Sequence, residues 1–279
     1  MGGFSPEWLA LREPADLVAR SPVVLQAMRD VFAGQTLCKV CDLGSGTGSS
    51  VRAFASWLPR RQEWHLLDHD SANIAAAHKE LARWAERSSM EGDRMLLKGQ
   101  GRLLAVHFAT VDLAGGEDFI PEGVDLVSAS ALFDLASAEW LDRLAERIVT
   151  RGLSLLSTLN YDGAMQFKPA DPLDGSVVAA FNRHQAGDKG FGPALGPKAG
   201  EYLAEKLESL GYKVVTATSP WWMGSADAGL KAATFEGVVT AVAETGAVDP
   251  AGLDRWAALR RGNLAEMTVG HIDLFATPA

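Results

Sequence analysis

Val40 to Gly48 reads VCDLGSGTG, an apolar run that ends in glycines at 44, 46 and 48. Glycine at these alternate positions makes a tight turn and lets a ligand approach the backbone where a side chain would hold it off. The segment before it, LCKVCDLG, has the composition of a buried strand. The segment after it carries Val51, Phe54, Ala55 and Leu58 at i, i+3, i+4 and i+7, and Pro59 follows. Strand, glycine turn and helix in this order place free helix N–H groups beside the turn, a ready site for a polar ligand. A dinucleotide fingerprint wants glycines at the first, third and sixth positions. Here the sixth is Ser49, and Asp42 stands two residues before Gly44.

Outward from this turn, short apolar runs alternate with amphipathic helical patterns, as in a parallel sheet flanked by helices. EWHLLD reads as a second strand, and Ile74, Ala77, Leu81 and Trp84 mark the face of the helix after it. A polar loop follows, then RLLAVHFATVD and GVDLVSAS as third and fourth strands. Trp140, Leu141, Leu144 and Ile148 stripe the next helix, and GLSLLSTLN supplies a fifth strand. The rhythm breaks over residues 160–198, which hold Pro169, Pro172, Pro193 and Pro197 among many glycines. Within it, FNRHQAGDKGFGPALGP (Phe181–Pro197) shows neither helical nor strand periodicity and reads as a lid-like insertion. Leu203, Leu207 and Leu210 resume a helix before YKVVTATS, the sixth strand. Two helical patterns make an excursion over 223–268 before a last strand near GHIDLFA. Residues 1–30 read as an N-terminal helical cap on a domain spanning 31–279.

The bulk numbers narrow the partners. A chain of 279 residues with 47% hydrophobic and 22% charged residues buries a sizeable core. A net charge of -9 opposes a partner that needs phosphate neutralisation, so no nucleic acid is expected. No apolar leader and no run of about 18 apolar residues occurs, so a cytoplasmic protein without a membrane span is expected. Cys38 and Cys41, three apart in a strand, face opposite sides, and no second pair exists to complete a zinc site. They read as buried structural thiols, and no metal is expected.

Two further acids lie where strands end. LLDHD closes the second strand with Asp68, and ATVDL closes the third with Asp112. In an open α/β sheet, ligands sit at the carboxyl ends of the strands. Acids at three successive ends suit an adenosine with a cationic part and would repel a pyrophosphate. Together VCDLGSGTG, LLDHD, VDL and VDLVSASALFDL resemble the class I S-adenosylmethionine-dependent methyltransferases, over roughly Leu37 to Gly211. The resemblance implies an α/β, Rossmann-like, open and mostly parallel seven-stranded sheet with helices on both faces. It implies that Gly44, Ser45, Gly46 and Gly48 wrap the methionine part of S-adenosylmethionine, with Asp42 near its amino group and Ser130 close by. It also implies that Asp68 holds the ribose hydroxyls, with His69 beside the adenine, Asp112 on the adenine amino group and Leu113 lining the ring. One departure stands out: the last two strands usually form a near-direct hairpin, and here the excursion intervenes.

Methyl transfer from a sulfonium is an in-line displacement, so the protein positions the acceptor and controls its protonation. Ser130, Phe133 and Asp134 follow the fourth strand, where this family commonly places residues near the transferred methyl. Asp134 is the first candidate for proton removal, and equally reads as part of the next helix's N-terminal region. In the lid-like segment, Asn182, His184 and Gln185 are candidates to contact a polar acceptor, with His184 a second candidate base. Phe181, Trp221 and Trp222 are candidate apolar walls of the pocket. The expectation is a methyltransferase acting on a small O, N or S acceptor, as monomer or homodimer. Two alternatives stay open: a cofactor-binding partner without transferase activity, and a nicotinamide-dependent oxidoreductase.

Overall fold

A computed structural model describes residues 4–115 and 118–279, so the first three residues of the expected cap lie outside it. The chain opens with two helices, α1 (Pro6–Ala19) and α2 (Pro22–Phe32). Strand β1 (Leu37–Leu43) leads through the glycine turn into α3 (Ser49–Phe54), then β2 (Arg61–Asp68) and α4 (Ser71–Trp84). A hairpin of β3 (Arg87–Glu91) and β4 (Arg94–Gly99) precedes β5 (Arg102–Thr110). Next come β6 (Leu126–Ser130), α5 (Ala138–Thr150), β7 (Ser154–Lys168), α6 (Asp174–Gln185) and α7 (Ala199–Ser209). The chain finishes with β8 (Tyr212–Thr218), β9 (Trp221–Met223), α8 (Ala228–Thr245), α9 (Pro250–Asn263) and β10 (Glu266–Pro278).

The strands form one sheet in the order β3-β4-β5-β2-β1-β6-β7-β10-β8, with β9 pairing β10 off this path. Pairs from β5 through β2, β1 and β6 to β7 are parallel, and β10 runs antiparallel between β7 and β8. The chain reverses its winding between β1 and β6, so the carboxyl ends there make the crevice in which a doubly wound sheet takes ligands. The sheet has ten strands rather than the seven expected. The surplus is β9 and the β3–β4 hairpin, which replaces the predicted polar loop. All five residues of β3 are exposed, so no apolar alternation betrays it.

Alternation along β1 sends Cys41 and Leu43 into one core layer and Cys38 and Val40 into the other, as the cysteine spacing predicts. Both thiols are free and buried, and burial pushes that of Cys38 up to about 12, which makes it inert. The first layer lies under α5 and α7, the second under α2 and α3. In α5, Trp140, Leu141, Leu144 and Ile148 are buried as the stripe requires. Ser137 accepts from Trp140 N at 3.3 Å to cap the helix.

A third layer is not a loop insertion. Residues 160–168, expected to begin the lid, continue β7 as an extended arm paired with β10, and the 12-residue α6 takes up the middle of the segment after it. The helical excursion packs back onto these arms. Phe167 and Phe235 flank Trp256 at ring distances of 5.2 Å each, and Trp221, Met223, Val238 and Leu253 complete the cluster. The β7–β10 register shifts twice, between Val269 and His271 and between Ile272 and Leu274. Opposite that shift Leu159 takes φ 58, and its N–H donates to buried Asp273 at 2.7 Å. The two strands thus belong to both the sheet and the cap above it.

Candidate functional site

Gly46 and Gly48 take φ 52 and 76, backbone that side chains disfavour. The turn is braced from below: Ser45 N donates to Leu67 O at 2.9 Å, Gly48 N to Ser45 O at 2.9 Å, and Gly46 N to Asp68 Oδ2 at 2.8 Å. Asp68 also accepts from Asp70 N at 2.9 Å, so both its oxygens hold backbone. Each retains capacity for a second bond, which a ribose hydroxyl would need. His69 lies beside it, its Nδ1 3.6 Å from Asp68 Oδ1, and its side chain is largely exposed. Asp112 caps its own turn by accepting from Ala114 N at 3.0 Å. Leu113 is buried in the core, and its carbonyl accepts from Trp140 Nε1 at 2.7 Å, so the side chain faces core rather than an open crevice.

Several buried polar atoms beside the turn have no hydrogen-bond partner in the protein. Asp42 is fully buried. Its Oδ1 accepts from Ser128 Oγ at 2.6 Å, and its Oδ2 finds no protein hydrogen bond. Burial raises its carboxyl to about 7, against the hydroxyls of Ser128 and Ser50 and the Arg20 charge, which lower it. Ser45 Oγ is likewise unpaired. Arg20, in the link between α1 and α2, is buried; its Nη2 donates to Ser130 Oγ at 3.2 Å, and its Nε and Nη1 are unpaired. Nothing in the sequence pattern singles out Arg20, because only the return of the N-terminal helices onto the sheet brings it there. A carboxylate oxygen, a hydroxyl and two guanidinium nitrogens complement the ammonium and carboxylate of an amino-acid head group.

Where the acceptor is expected, a short turn at Phe133–Leu135 follows β6. Asp134 Oδ1 is buried without a partner, and burial raises its carboxyl to about 6, against the opposing charge of Arg12. Phe133, expected at the acceptor, is instead fully buried in the core beneath, 6.0 Å from the Trp140 ring. Tyr161 and His271 are register partners across β7 and β10, so their side chains share a face. The Tyr161 hydroxyl donates to Asn182 Oδ1 at 2.7 Å, and Phe181 packs edge-on to its ring at 5.6 Å. Asn182 Nδ2 donates in turn to Gly163 O at 3.1 Å, so Asn182 positions Tyr161. Trp221 stands 5.0 Å from the His271 ring, and its Nε1 donates to Asp16 Oδ1 at 3.0 Å. The Arg12 guanidinium lies 4.9 Å over Trp221 and bonds Asp16 at 2.9 Å. His271 is held neutral, its ring pushed down to about 3 by burial first and then by Arg12.

Other expected contacts are absent from this cluster. His184 lies in α6 and bonds Glu244 of α8 at 2.9 Å, which makes it a helix–helix pair rather than a lid base. Gln185 ends the same helix with its backbone against Gly196. Trp222 is 69% exposed and walls nothing, because alternation along β9 turns it opposite to Trp221. The arms explain these differences: α6 packs on the extended part of β7 and against α8, so His184 near its end meets Glu244.

No protein-family model matches the chain, and no curated protein sequence matches it. Solved structures do match. The YcgJ protein of Bacillus subtilis aligns over 92% of this chain and 99% of its own, with TM-score 0.53 at 13% identity. A proposed methyltransferase of Bacillus halodurans aligns over 92% and 100%, with TM-score 0.52 at 12% identity. An S-adenosylmethionine-dependent methyltransferase of Geobacter sulfurreducens, in complex with S-adenosylhomocysteine, aligns over 98% of both chains with TM-score 0.46 at 15% identity. At such identities the likeness is one of fold. The chain has the class I S-adenosylmethionine-dependent methyltransferase fold, a doubly wound sheet completed by an antiparallel strand between its last two neighbours. Among the described residues no helix is long and apolar enough to cross a membrane, and no cluster suits a metal ion.

Proposed function

We propose that the protein transfers a methyl group from S-adenosylmethionine to a small-molecule acceptor. The observation that carries this reading is the unpaired buried set beside the glycine turn: Asp42 Oδ2, Ser45 Oγ, and Arg20 Nε and Nη1. It suits a zwitterionic methionine head and suits a pyrophosphate badly, since Asp42 would repel it. Bound S-adenosylmethionine supplies an electrophilic methyl on a sulfonium. Asp42 and Ser45 hold the ammonium, Arg20 the carboxylate, and Asp68 and Asp112 the adenosine.

The acceptor lies against Asp134, Tyr161, Trp221 and His271, on the crevice side of β6, β7 and β10. Asp134 takes the acceptor proton: a carboxylate near 6 is ionised at neutral pH and basic enough to accept one. Tyr161, steadied by Asn182, and neutral His271 orient the acceptor without adding charge next to a developing thioether. The cap of α6, α8 and α9 stands over this face and favours an enclosed small molecule over a polymer. The test is calorimetric titration with S-adenosylhomocysteine and, separately, NADH, on the native protein and on Asp68→Ala. Micromolar binding of the first ligand alone, lost in the variant, is expected. Binding of NADH in its place would move the protein to the oxidoreductases. Cofactor binding without product across a broad acceptor panel would leave a binding partner.

A further inference from the structure

The two N-terminal helices are held in different ways. Helix α2 buries Val24, Leu25, Met28 and Phe32 against the sheet. In α1 the buried residues are Arg12 and Asp16; Trp8, Ala15 and Ala19 pack half-buried against the third layer, and Leu11, Leu17 and Val18 are exposed. An element with little buried apolar surface and polar anchors belongs to the low-stability end of a fold. Those anchors are specific. Glu13 takes Arg52 Nε and Nη2 at 2.6 Å each, and the same guanidinium holds Thr47 O of the glycine turn at 2.8 Å. Asp16 takes Trp221 Nε1, and Phe4 O takes Asn73 Nδ2 at 3.3 Å.

Seated this way, α1 lies on the glycine turn itself. Leu9 Cδ1 comes to 2.9 Å from where a Cβ on Gly46 would stand, the side from which a ligand would approach that backbone. The space left between Leu9, Arg12, Asp16, Gly44, Gly46 and Ser130 is about 40 Å³. Sites for ligands of cofactor size run to about 300 Å³ or more. A natural pivot exists at the end of α1. Arg20 is extended, and Ser21 N donates to buried Asp273 at 2.7 Å, so the start of α2 stays fixed if α1 swings away.

We propose that α1 is a hinged gate over the cofactor site: its closed seat and the methionine part of the cofactor exclude each other, and the Glu13–Arg52 latch sets how often the gate stands open. The proposal rests on the cofactor reading above. If only a fraction of molecules is open, the apparent dissociation constant is the intrinsic one divided by that fraction. Weakening the latch therefore tightens binding.

The experiment titrates S-adenosylhomocysteine into the native protein, Glu13→Gln and Leu9→Ala, and follows amide hydrogen exchange over α1. Both variants are expected to bind about tenfold tighter than the native protein, and the ligand to speed exchange across Pro6–Ala19 while slowing it in the glycine turn. Equal affinities in all three proteins would overturn the gate and leave the cofactor reading standing. Weaker binding by Glu13→Gln with slower α1 exchange would also overturn it, making α1 a cover that closes on the ligand. No binding by any of the three would remove the cofactor reading, and the gate with it.

Discussion

Strands β1, β2 and β5 present Asp42, Asp68 and Asp112 within two residues of where each strand stops, while β7 and β10 run on past that edge and carry Tyr161 and His271 in their middles. In the first region a side chain reaches the crevice because its strand ends there. In the second it does so because two long strands stay paired through two register shifts, with Asp273 accepting from Leu159 N, Ser21 N and Ser219 Oγ. The proposed cofactor edge is therefore assembled from local sequence and the proposed acceptor face from tertiary structure. Damage to each has a different signature: loss of one ligand in the first case, loss of a whole wall in the second.

The sharpest way to break this contrast is Gly46→Val. It forces a β-branched residue to φ 52 against Leu9. S-adenosylhomocysteine binding is expected to vanish from calorimetry while far-ultraviolet circular dichroism stays native. Next in size is Trp256→Ala, which empties the centre of the cap between Phe167 and Phe235. Chemical denaturation should show a loss of about 3–5 kcal/mol. Because the arms are shared with the sheet, a single transition is expected; two transitions would mean that cap and sheet fold apart.

Asp134→Asn tests the acceptor face without disturbing the cofactor edge. Turnover is expected to fall about a hundredfold with S-adenosylhomocysteine affinity unchanged. For a base, activity is present above its pKa and lost below, so native kcat/KM should fall as the pH drops through about 6. The variant should lack that limb. The smallest effect is expected from His184→Gln, which exchanges a partly exposed contact with Glu244 for a neutral one. Turnover should hold and stability move by less than about 1 kcal/mol. A large fall in turnover would restore His184 to the acceptor site and erase the distinction between α6 as scaffold and α6 as lid.

The same division explains what could be read in advance. The glycine turn, Asp42, Asp68 and Asp112 were legible because each sits in a short apolar run with its own stop signal. So was the α5 stripe. The far half of β7, NYDGAMQFK, was not, since its burial alternates irregularly around Gly163 and mimics a loop. Helix α6 fully buries just Val177 and Ala180, too little for a helical period to show. Arg20 meets Ser130 across 110 positions and Asp16 meets Trp221 across 205, and no local pattern encodes such meetings. Phe133 misled for the opposite reason: an aromatic after β6 fits a pocket wall as well as it fits the core it enters.

Strand β10 enters the sheet between β7 and β8, both made before it. On a chain synthesised from its N-terminus, β1, β2, β5, β6 and β7 can pair as they emerge, and β8, α8 and α9 then wait for the strand that joins them. The exposed flank of β7 is a vulnerable edge during that interval. A nascent chain stalled before Glu266 would carry a formed glycine turn and an open seam, and a chaperone that recognises unpaired strands would meet it there.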